Sequence, residues 1–117
     1  ETILVVEDED AVRRLTQRIL SRAGYSVIEA VGGPAALAAW KAHPGEIDLL
    51  LTDVVMPGMS GKELADQLGV VPVFMSGYTD DVVLRHGVAA GQPRLVQKPF
   101  DAATLLAAVR AALDEPA

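Results

Sequence analysis

The feature that most constrains the fold is a regular alternation of short apolar runs with stretches of helical period. Residues 3–6 are a continuous run of branched apolar side chains, which is typical of a parallel strand covered on both faces. In the next stretch Val12 and Leu15 recur at helical spacing, and Arg13 and Arg14 fall on the opposite, solvent side. A strand followed by such a helix predicts a βα unit, the building block of a parallel sheet.

The alternation continues along the chain and predicts five strands and five helices. The strands are expected at residues 3–6, 25–28, 47–51, 71–75 and 94–97, and the helices at residues 12–20, 35–41, 60–68, 80–86 and 101–113. Pro34 in a first turn and Asp101 as a cap support two helix starts, and Ser60 and Glu63 have the spacing of a capping box. Five βα units in series predict an α/β fold with a doubly wound parallel sheet and helices on both faces.

Composition and charge exclude several classes of protein. The 117 residues are 50% hydrophobic and 22% charged, which suits one globular domain, and no apolar run approaches the length of a membrane span. Acidic residues outnumber basic ones by 16 to 10, and the net charge of −6 opposes direct binding to nucleic acid. Without cysteine the chain has no disulfide, thiolate nucleophile or cysteine-bound zinc, which suits a reducing cytosol.

Acidic and polar side chains follow four of the predicted strands at the point where each strand ends. Glu7 and Asp8 follow the first strand and Asp53 the third, while Ser76 and Lys98 follow the fourth and the fifth. The carboxyl ends of parallel strands meet at one edge of the sheet, where ligands bind. Crowded carboxylates repel each other, and a hard divalent cation such as Mg²⁺ removes that repulsion. The three acids, with a main-chain carbonyl just after Asp53, therefore form a candidate Mg²⁺ site.

The same set of side chains suits the transfer of a phosphoryl group. A carboxylate beside a divalent cation can attack phosphorus and form an acyl phosphate, and such a transfer needs mainly positioning and charge neutralisation. Lys98 offers a compact positive charge for phosphoryl oxygens, and Ser76 offers a hydroxyl donor. The sequence therefore predicts the phosphorylation of one carboxylate.

Four motifs, in this order, carry a resemblance to a known family. They are VVEDE at residues 5–9, LLTDVVMP at 50–57, MSG at 75–77 and QKPF at 97–100. From Ile3 to about Leu113 the chain resembles the receiver domain of two-component response regulators. The resemblance implies a flavodoxin-like five-stranded sheet of order 2-1-3-4-5. It also implies a phosphorelay receiver that accepts a phosphoryl group from a phosphohistidine and then switches conformation.

The resemblance further implies which residues handle the phosphoryl group. Asp53 is the expected phosphoacceptor, and Lys98 and Ser76 are expected to bind the transferred group. Main-chain groups of Val54 and Gly77 are expected to contact it as well. Self-phosphorylation and self-dephosphorylation of this kind would make the protein an enzyme only in a limited sense.

A metal site is implied by the same resemblance. Mg²⁺, with Mn²⁺ as a substitute, is expected to bind at Glu7, Asp8, Asp53 and the main-chain oxygen of Val55. The peptide bond between residues 98 and 99 is expected to be cis.

The sequence FMSGYTDD at residues 74–81, together with QKPF at 97–100, is similar to receivers at the C-terminus of hybrid sensor histidine kinases. Because the chain starts at Glu1 and not at Met, we expect residues 1–117 to be a single receiver domain excised from a longer chain that has sensor and kinase domains. The implied partner is a histidine kinase or a histidine phosphotransfer domain in the cytoplasm, even where the parent chain is membrane-anchored. No contact of this domain with nucleic acid or membrane is expected, and a weak homodimer is left open.

Three positions depart from the pattern of the family. Glu7 stands where Asp is commoner, so its longer side chain is expected to reach the metal only through water. Leu95 stands where many receivers have an aromatic switch residue, so either another coupling to the output or a weak one is expected. The segment between Leu64 and Val73 is several residues shorter than the pattern, which is expected to truncate the third helix or tighten its exit loop.

Two other functions stay open: a docking module of receiver fold that is never phosphorylated and, more weakly, an aspartate-nucleophile phosphatase. Such a phosphatase needs a second acid two residues after the nucleophile, and that position is Val55. Val55 and Tyr78 are expected to flank the approach of water, which predicts a long-lived acyl phosphate. A flavin or dinucleotide binder is excluded because acids follow the first strand where a glycine-rich phosphate loop is needed. No chemistry is assigned to His43 or His86.

Overall fold

A parallel sheet of five strands runs through the centre of the protein. The structure, a computed structural model, describes residues 1–77 and 94–115. The strands are β1 (Thr2–Val6), β2 (Ser26–Ala30), β3 (Leu49–Asp53), β4 (Val73–Ser76) and β5 (Leu95–Gln97). Their order is β2-β1-β3-β4-β5, and every neighbouring pair is parallel. The predicted doubly wound α/β fold, with its flavodoxin-like strand order, is confirmed.

Four helices in the described ranges cover both faces of the sheet. They are α1 (Asp10–Arg22), α2 (Gly33–Ala42), α3 (Gly61–Leu68) and α4 (Ala102–Asp114). None of these four has the length and apolar character needed to span a bilayer. Ile3 and Val5 of β1 belong to a core shared with α1 and α4, whereas Leu4 and Val6 belong to a core shared with α2 and α3. Successive side chains of β1 therefore enter two cores, which is why residues 3–6 are apolar without interruption.

Local signals in the sequence mark the starts of α2, α3 and α4 as predicted. The Ser60 hydroxyl accepts the N–H of Glu63, and the Glu63 carboxylate accepts the N–H of Ser60, both at 3.1 Å, so the capping box is present. Pro34 lies in the first turn of α2, and the Asp101 carboxylate accepts the N–H of Thr104 at 2.7 Å. Side-chain caps of this kind satisfy main-chain donors that the first turn of a helix leaves without a partner.

β3 and β4 each begin two residues later than the sequence predicts. β3 begins at Leu49 rather than two residues earlier, and there the Asp48 carboxylate accepts a main-chain N–H of β1 at 2.7 Å. β4 begins at Val73 because Pro72 has no N–H to give to a strand ladder. Val71, which we expected inside the strand, is 69% exposed.

The connection from α3 to β4 is short. α3 has eight residues and ends at Gly69, whose φ of 69° is the left-handed conformation that often closes a helix. Residues 69–72 then lead directly into β4. Both the helix and its exit loop are therefore short. The helix predicted at residues 80–86 and the side chain of Tyr78 lie outside the described residues.

Gly61, the first residue of α3, approaches the end of β3 too closely for any side chain. A Cβ atom at this position would lie 2.1 Å from the main-chain oxygen of Asp53 and 3.1 Å from Cγ2 of Thr52. The N–H of Gly61 donates to the main-chain oxygen of Val54 at 2.9 Å. Glycine at position 61 therefore allows α3 to close the loop of residues 54–60 against β3.

The substitution Gly61→Ala is expected to lower the free energy of unfolding by about 3 kcal/mol, because the backbone of β3 must move to admit the methyl group. The change is measured by urea denaturation, with one m-value used for the wild type and all variants. Gly32→Ala is the matched control, since a Cβ there meets no atom within 4 Å and its φ of 177° is ordinary extended backbone. Equal urea midpoints for the two variants would show that the close approach has no energetic importance.

Candidate functional site

Three carboxylates meet at the carboxyl ends of the two central strands. Glu7 and Asp8 directly follow β1, and Asp53 is the last residue of β3, which pairs with β1. An oxygen of each carboxylate lies within 4.8 Å of the others. Glu7 is completely buried, Asp53 is 4% exposed and Asp8 is exposed. The structure thus brings the three predicted acids together.

Lys98 reaches this cluster from the end of β5. Its ammonium group donates to Oε1 of Glu7 and to Oδ2 of Asp53, the latter at 3.2 Å. Its side chain is 15% exposed. The N–H of Lys98 also donates to the main-chain oxygen of Ser76 at 2.7 Å, and the bond to Pro99 is cis, as the resemblance implied. The ammonium group of Lys98 therefore pairs with both buried carboxylates.

The other oxygens of the two buried acids differ in their partners. Oε2 of Glu7 accepts the N–H of Glu9 at 3.2 Å, so both oxygens of Glu7 are engaged. Oδ1 of Asp53 is buried and has no hydrogen-bond partner among residues 1–77 and 94–115. A buried acceptor without a partner is costly, and a bound cation or a donor removes that cost. Asp53 is therefore the buried acid with an oxygen left for a ligand.

Burial dominates the electrostatics of the cluster. It raises the pKa of Glu7 from the ordinary 4.5 to about 7, although the hydrogen bond from Lys98 opposes this and the charge of Asp53 adds to it. Burial likewise raises the pKa of Asp53, against the positive charge of Lys98. For Lys98, burial acts to lower the pKa, but its contacts with Glu7 and Asp53 outweigh that effect and raise it. The single ammonium thus compensates the two buried acids incompletely.

A cleft of about 210 Å³ opens beside the acids. Its lining residues are Asp8, Glu9, Asp53, Val55, Gly77 and Lys98. Carboxylate and carbonyl oxygens are the ligands that Mg²⁺ prefers, and the cation usually keeps several waters, for which the cleft has room. A divalent cation would give Oδ1 of Asp53 a partner and would compensate the remaining negative charge of the acids. The residues present therefore fit Mg²⁺.

The remaining predicted residues lie around the same cleft. Val55 and Gly77 line it, and Ser76, at the end of β4, is 1% exposed. Val54 is completely buried, and its N–H donates to the main-chain oxygen of Met75 at 2.9 Å. A phosphoryl contact through the N–H of Val54 would therefore require the exchange of that hydrogen bond.

One residue beside the site, Arg13, does not lie where the sequence predicts. Arg13 was expected on the solvent side of its helix, but its side chain is only 12% exposed. Its guanidinium contacts Asp10 and the main-chain oxygen of Glu7. The expectation was wrong because side chains in the first turn of a helix lean back toward the preceding loop. An arginine three residues after an acid at the start of the helix was the signal available in the sequence.

Comparison with known proteins identifies the family. Residues 3–110 match the response regulator receiver domain. The chain therefore belongs to the receiver family, whose members accept a phosphoryl group and switch conformation in signal transduction.

Relatives of two kinds are similar to this chain. The sensor kinase CckA of Brucella abortus is 38% identical over 119 residues, which span 97% of this chain and 13% of that protein. The transcriptional regulatory protein CseB of Streptomyces avermitilis is 39% identical over 115 residues, or 95% of this chain and 48% of that protein. The chain thus spans less than half the length of both. A crystal structure of the receiver domain from the hybrid histidine kinase CckA matches with a TM-score of 0.80 and 38% identity, covering 97% of this chain and all of that one.

In the absence of a divalent cation, the protein is expected to lose stability as the pH rises. The unfolded chain releases the proton of Glu7 near pH 4.5 and the folded protein near pH 7, so between these values the folded state binds more protons and the free energy of unfolding falls. We expect a fall of up to roughly 3 kcal/mol between pH 5 and pH 8, measured by urea denaturation in EDTA.

The control for this prediction is Glu7→Gln, which cannot release a proton and should remove the part of the fall that Glu7 causes, while Asp53, whose pKa is also raised, keeps its part. Excess Mg²⁺ at pH 8 should restore stability to the wild type, because the cation binds the ionised acids of the folded state. An equal fall in Glu7→Gln would assign the pH dependence to other groups.

Proposed function

We propose that the protein acts in a phosphorelay and that Asp53 is its phosphoacceptor. The observation that carries the proposal is the carboxylate of Asp53, which ends a central strand, lines the cleft and keeps one oxygen without a partner among the described residues. The other buried acid, Glu7, has both oxygens engaged. Among the acids of the cluster, Asp53 is thus the one that combines burial with a free nucleophilic oxygen.

Mg²⁺, or Mn²⁺ in its place, would be held by Asp8, Asp53 and the main-chain oxygen of Val55. Glu7 would act through a water molecule, because Lys98 and a main-chain N–H already use its two oxygens. When bound, the cation would neutralise the charge of the acids and of the phosphoryl oxygens. Ionisation of Asp53, which burial opposes in the free protein, is then favoured.

The transfer itself needs little from the protein beyond positioning. An oxygen of Asp53 attacks the phosphorus of a phosphohistidine, the new O–P bond forms, and the P–N bond to the donor breaks. The electron pair of that bond returns to the imidazole, which takes a proton from solvent. The product is an acyl phosphate on Asp53.

The transferred group would be bound by Lys98 and Ser76, with main-chain contacts from Val54 and Gly77. Lys98 must then exchange its contacts with the two buried acids for contacts with phosphoryl oxygens. The N–H of Lys98 is bonded to the main-chain oxygen of Ser76 at 2.7 Å, so both groups belong to one connected edge of the sheet. The ends of β4 and β5, which carry the two side chains, are therefore held together by a main-chain hydrogen bond.

The physiological setting is proposed from the relatives. Similarity to the receiver of a hybrid histidine kinase supports residues 1–117 as a single receiver domain within a longer cytoplasmic or membrane-anchored kinase chain. Its partner would be a histidine kinase or a histidine phosphotransfer domain, met in the cytoplasm. Weak self-association is compatible with this role, whereas the net charge of −6 opposes direct binding to nucleic acid.

The first test is intact-mass spectrometry after incubation with acetyl phosphate. Wild-type protein is expected to gain one hydroxylamine-labile phosphoryl group in the presence of Mg²⁺ and none in EDTA. Asp53→Ala is expected to gain none, because no other acid of the cluster combines burial with a free oxygen. Asp66→Ala, which loses the same charge on the exposed side of α3, is the matched control and should behave as wild type.

Modification of Asp53→Ala at the wild-type level would contradict the assignment of the acceptor. A wild type that binds Mg²⁺ but gains nothing, either from acetyl phosphate or from a phosphorylated histidine phosphotransfer domain, would favour the docking module instead. Turnover of a phosphomonoester would favour the phosphatase.

The acyl phosphate is expected to persist for minutes or longer in Mg²⁺ buffer. Hydrolysis needs a water molecule in line with the O–P bond, and the apolar Val55 lines the cleft where an acid or amide would orient that water. Decay of the phosphorylated mass after removal of acetyl phosphate measures the lifetime, and a half-life of seconds would refute the expectation.

A further inference from the structure

Arg13 lies in the first turns of α1 and extends back toward the acidic cluster. Its side chain is 12% exposed, whereas Arg14, the next residue, is exposed. Burial of a guanidinium on a helix that has an open solvent side is unusual, because an arginine head group is normally left in water. The burial of Arg13 is thus a feature that requires a set of specific partners.

The guanidinium has a partner for each of its nitrogens. Nη1 donates to the main-chain oxygen of Glu7 at 3.0 Å, and Nη2 donates to Oδ1 of Asp10 at 2.6 Å. Nε lies 3.5 Å from Oε1 of Glu29 on β2. The planar group therefore joins the end of β1, the start of α1 and the neighbouring strand β2.

The contact with Glu7 bears directly on Asp8. The carbonyl of Glu7 and the N–H of Asp8 belong to one planar peptide unit, so a hydrogen bond to that carbonyl sets the orientation of the unit. The N–H of Glu7 is held by the main-chain oxygen of Ala30 at 3.1 Å. With both sides of Glu7 fixed, the chain direction at Asp8 is fixed as well. Asp8 itself is exposed, so its carboxylate depends on the main chain for its position.

We propose that Arg13 is a positioning residue that holds the turn of Glu7 and Asp8 in the conformation that presents Asp8 to Mg²⁺. The inference rests on the proposed function of the acidic cluster as a Mg²⁺ site. Arg13 acts through the main chain and touches neither the cation nor the phosphoryl group. Arg14 carries the same charge on the exposed side of the helix, so it serves as the comparison for an effect of charge alone.

The test compares Mg²⁺ dissociation constants, measured by calorimetry, for wild type, Arg13→Ala, Arg13→Lys and Arg14→Ala. Loss of a group that orients a metal ligand typically weakens binding by 10- to 100-fold, so we expect about a 10-fold weaker constant for Arg13→Ala. Arg13→Lys keeps the charge but replaces the planar guanidinium by one compact ammonium group, and should lose about threefold. Arg14→Ala should change the constant by less than about twofold, because its exposed charge is screened.

A second readout separates positioning from general stabilisation. In the metal-free protein, Arg13→Ala should speed hydrogen exchange at the amides of Asp8 and Glu9, with little change in the core of β1. A merely structural arginine would lower the melting temperature and leave the Mg²⁺ constant unchanged. If Arg13→Ala does not fold, the comparison of Arg13→Lys with Arg14→Lys decides the question in the same way.

The outcomes distinguish a failure of the role of Arg13 from a failure of the proposed function. Wild-type binding of Mg²⁺ with equal constants for the Arg13 and Arg14 variants would overturn the role of Arg13 and leave the proposed function intact. No binding of Mg²⁺ by the wild type would overturn both. A selective loss in Arg13→Ala with partial recovery in Arg13→Lys is the expected result.

Discussion

The site depends on one ammonium group shared by two buried carboxylates. Removing an ion from water costs several kcal/mol even in a relaxed protein, and the pairing of Lys98 with Glu7 and Asp53 offsets only part of that cost. The pKa of each acid is raised because the pairing with Lys98 does not offset the whole cost of burial. A site in this state favours whatever brings positive charge or removes negative charge, namely a proton or a divalent cation. Its charge balance makes it responsive to ligands.

The sheet is what allows so much charge to be concentrated at one edge. β1 and β3 are covered on both faces, so the continuous apolar runs that precede Glu7 and Asp53 bury the chain up to the last residue before each acid. The acids cannot withdraw into solvent without breaking a central strand pair. Gly61 adds a second restraint, because its close approach to the main chain of Asp53 fixes the loop that follows the strand.

Much of this was predictable from the sequence because the deciding signals are local. The apolar runs, the capping box at Ser60 and the acids at strand ends each depend on a few neighbouring residues. What was not predictable depends on contacts distant in sequence. Lys98 contacts Glu7 and Asp53, which are 91 and 45 residues away from it in the sequence. The burial of Arg13 likewise reflects its contacts with Glu7 at the end of β1 and with Glu29 of β2. Pro72 was a local signal that β4 begins at Val73, but the apolar residues on both sides of this proline led to the prediction of an earlier start.

Leu95, which stands where many receivers have an aromatic residue, joins β5 to the neighbouring strand by apolar packing. Its side chain packs against an apolar cluster that contains Val54 and Phe74. That cluster links the residue after the acceptor to β4 and β5. The hydrogen bond between the N–H of Lys98 and the oxygen of Ser76 links the same two strands at the edge. The end of β5 is therefore held to β4 both at the strand edge and through the cluster below it, which is where a displacement of Lys98 would act first.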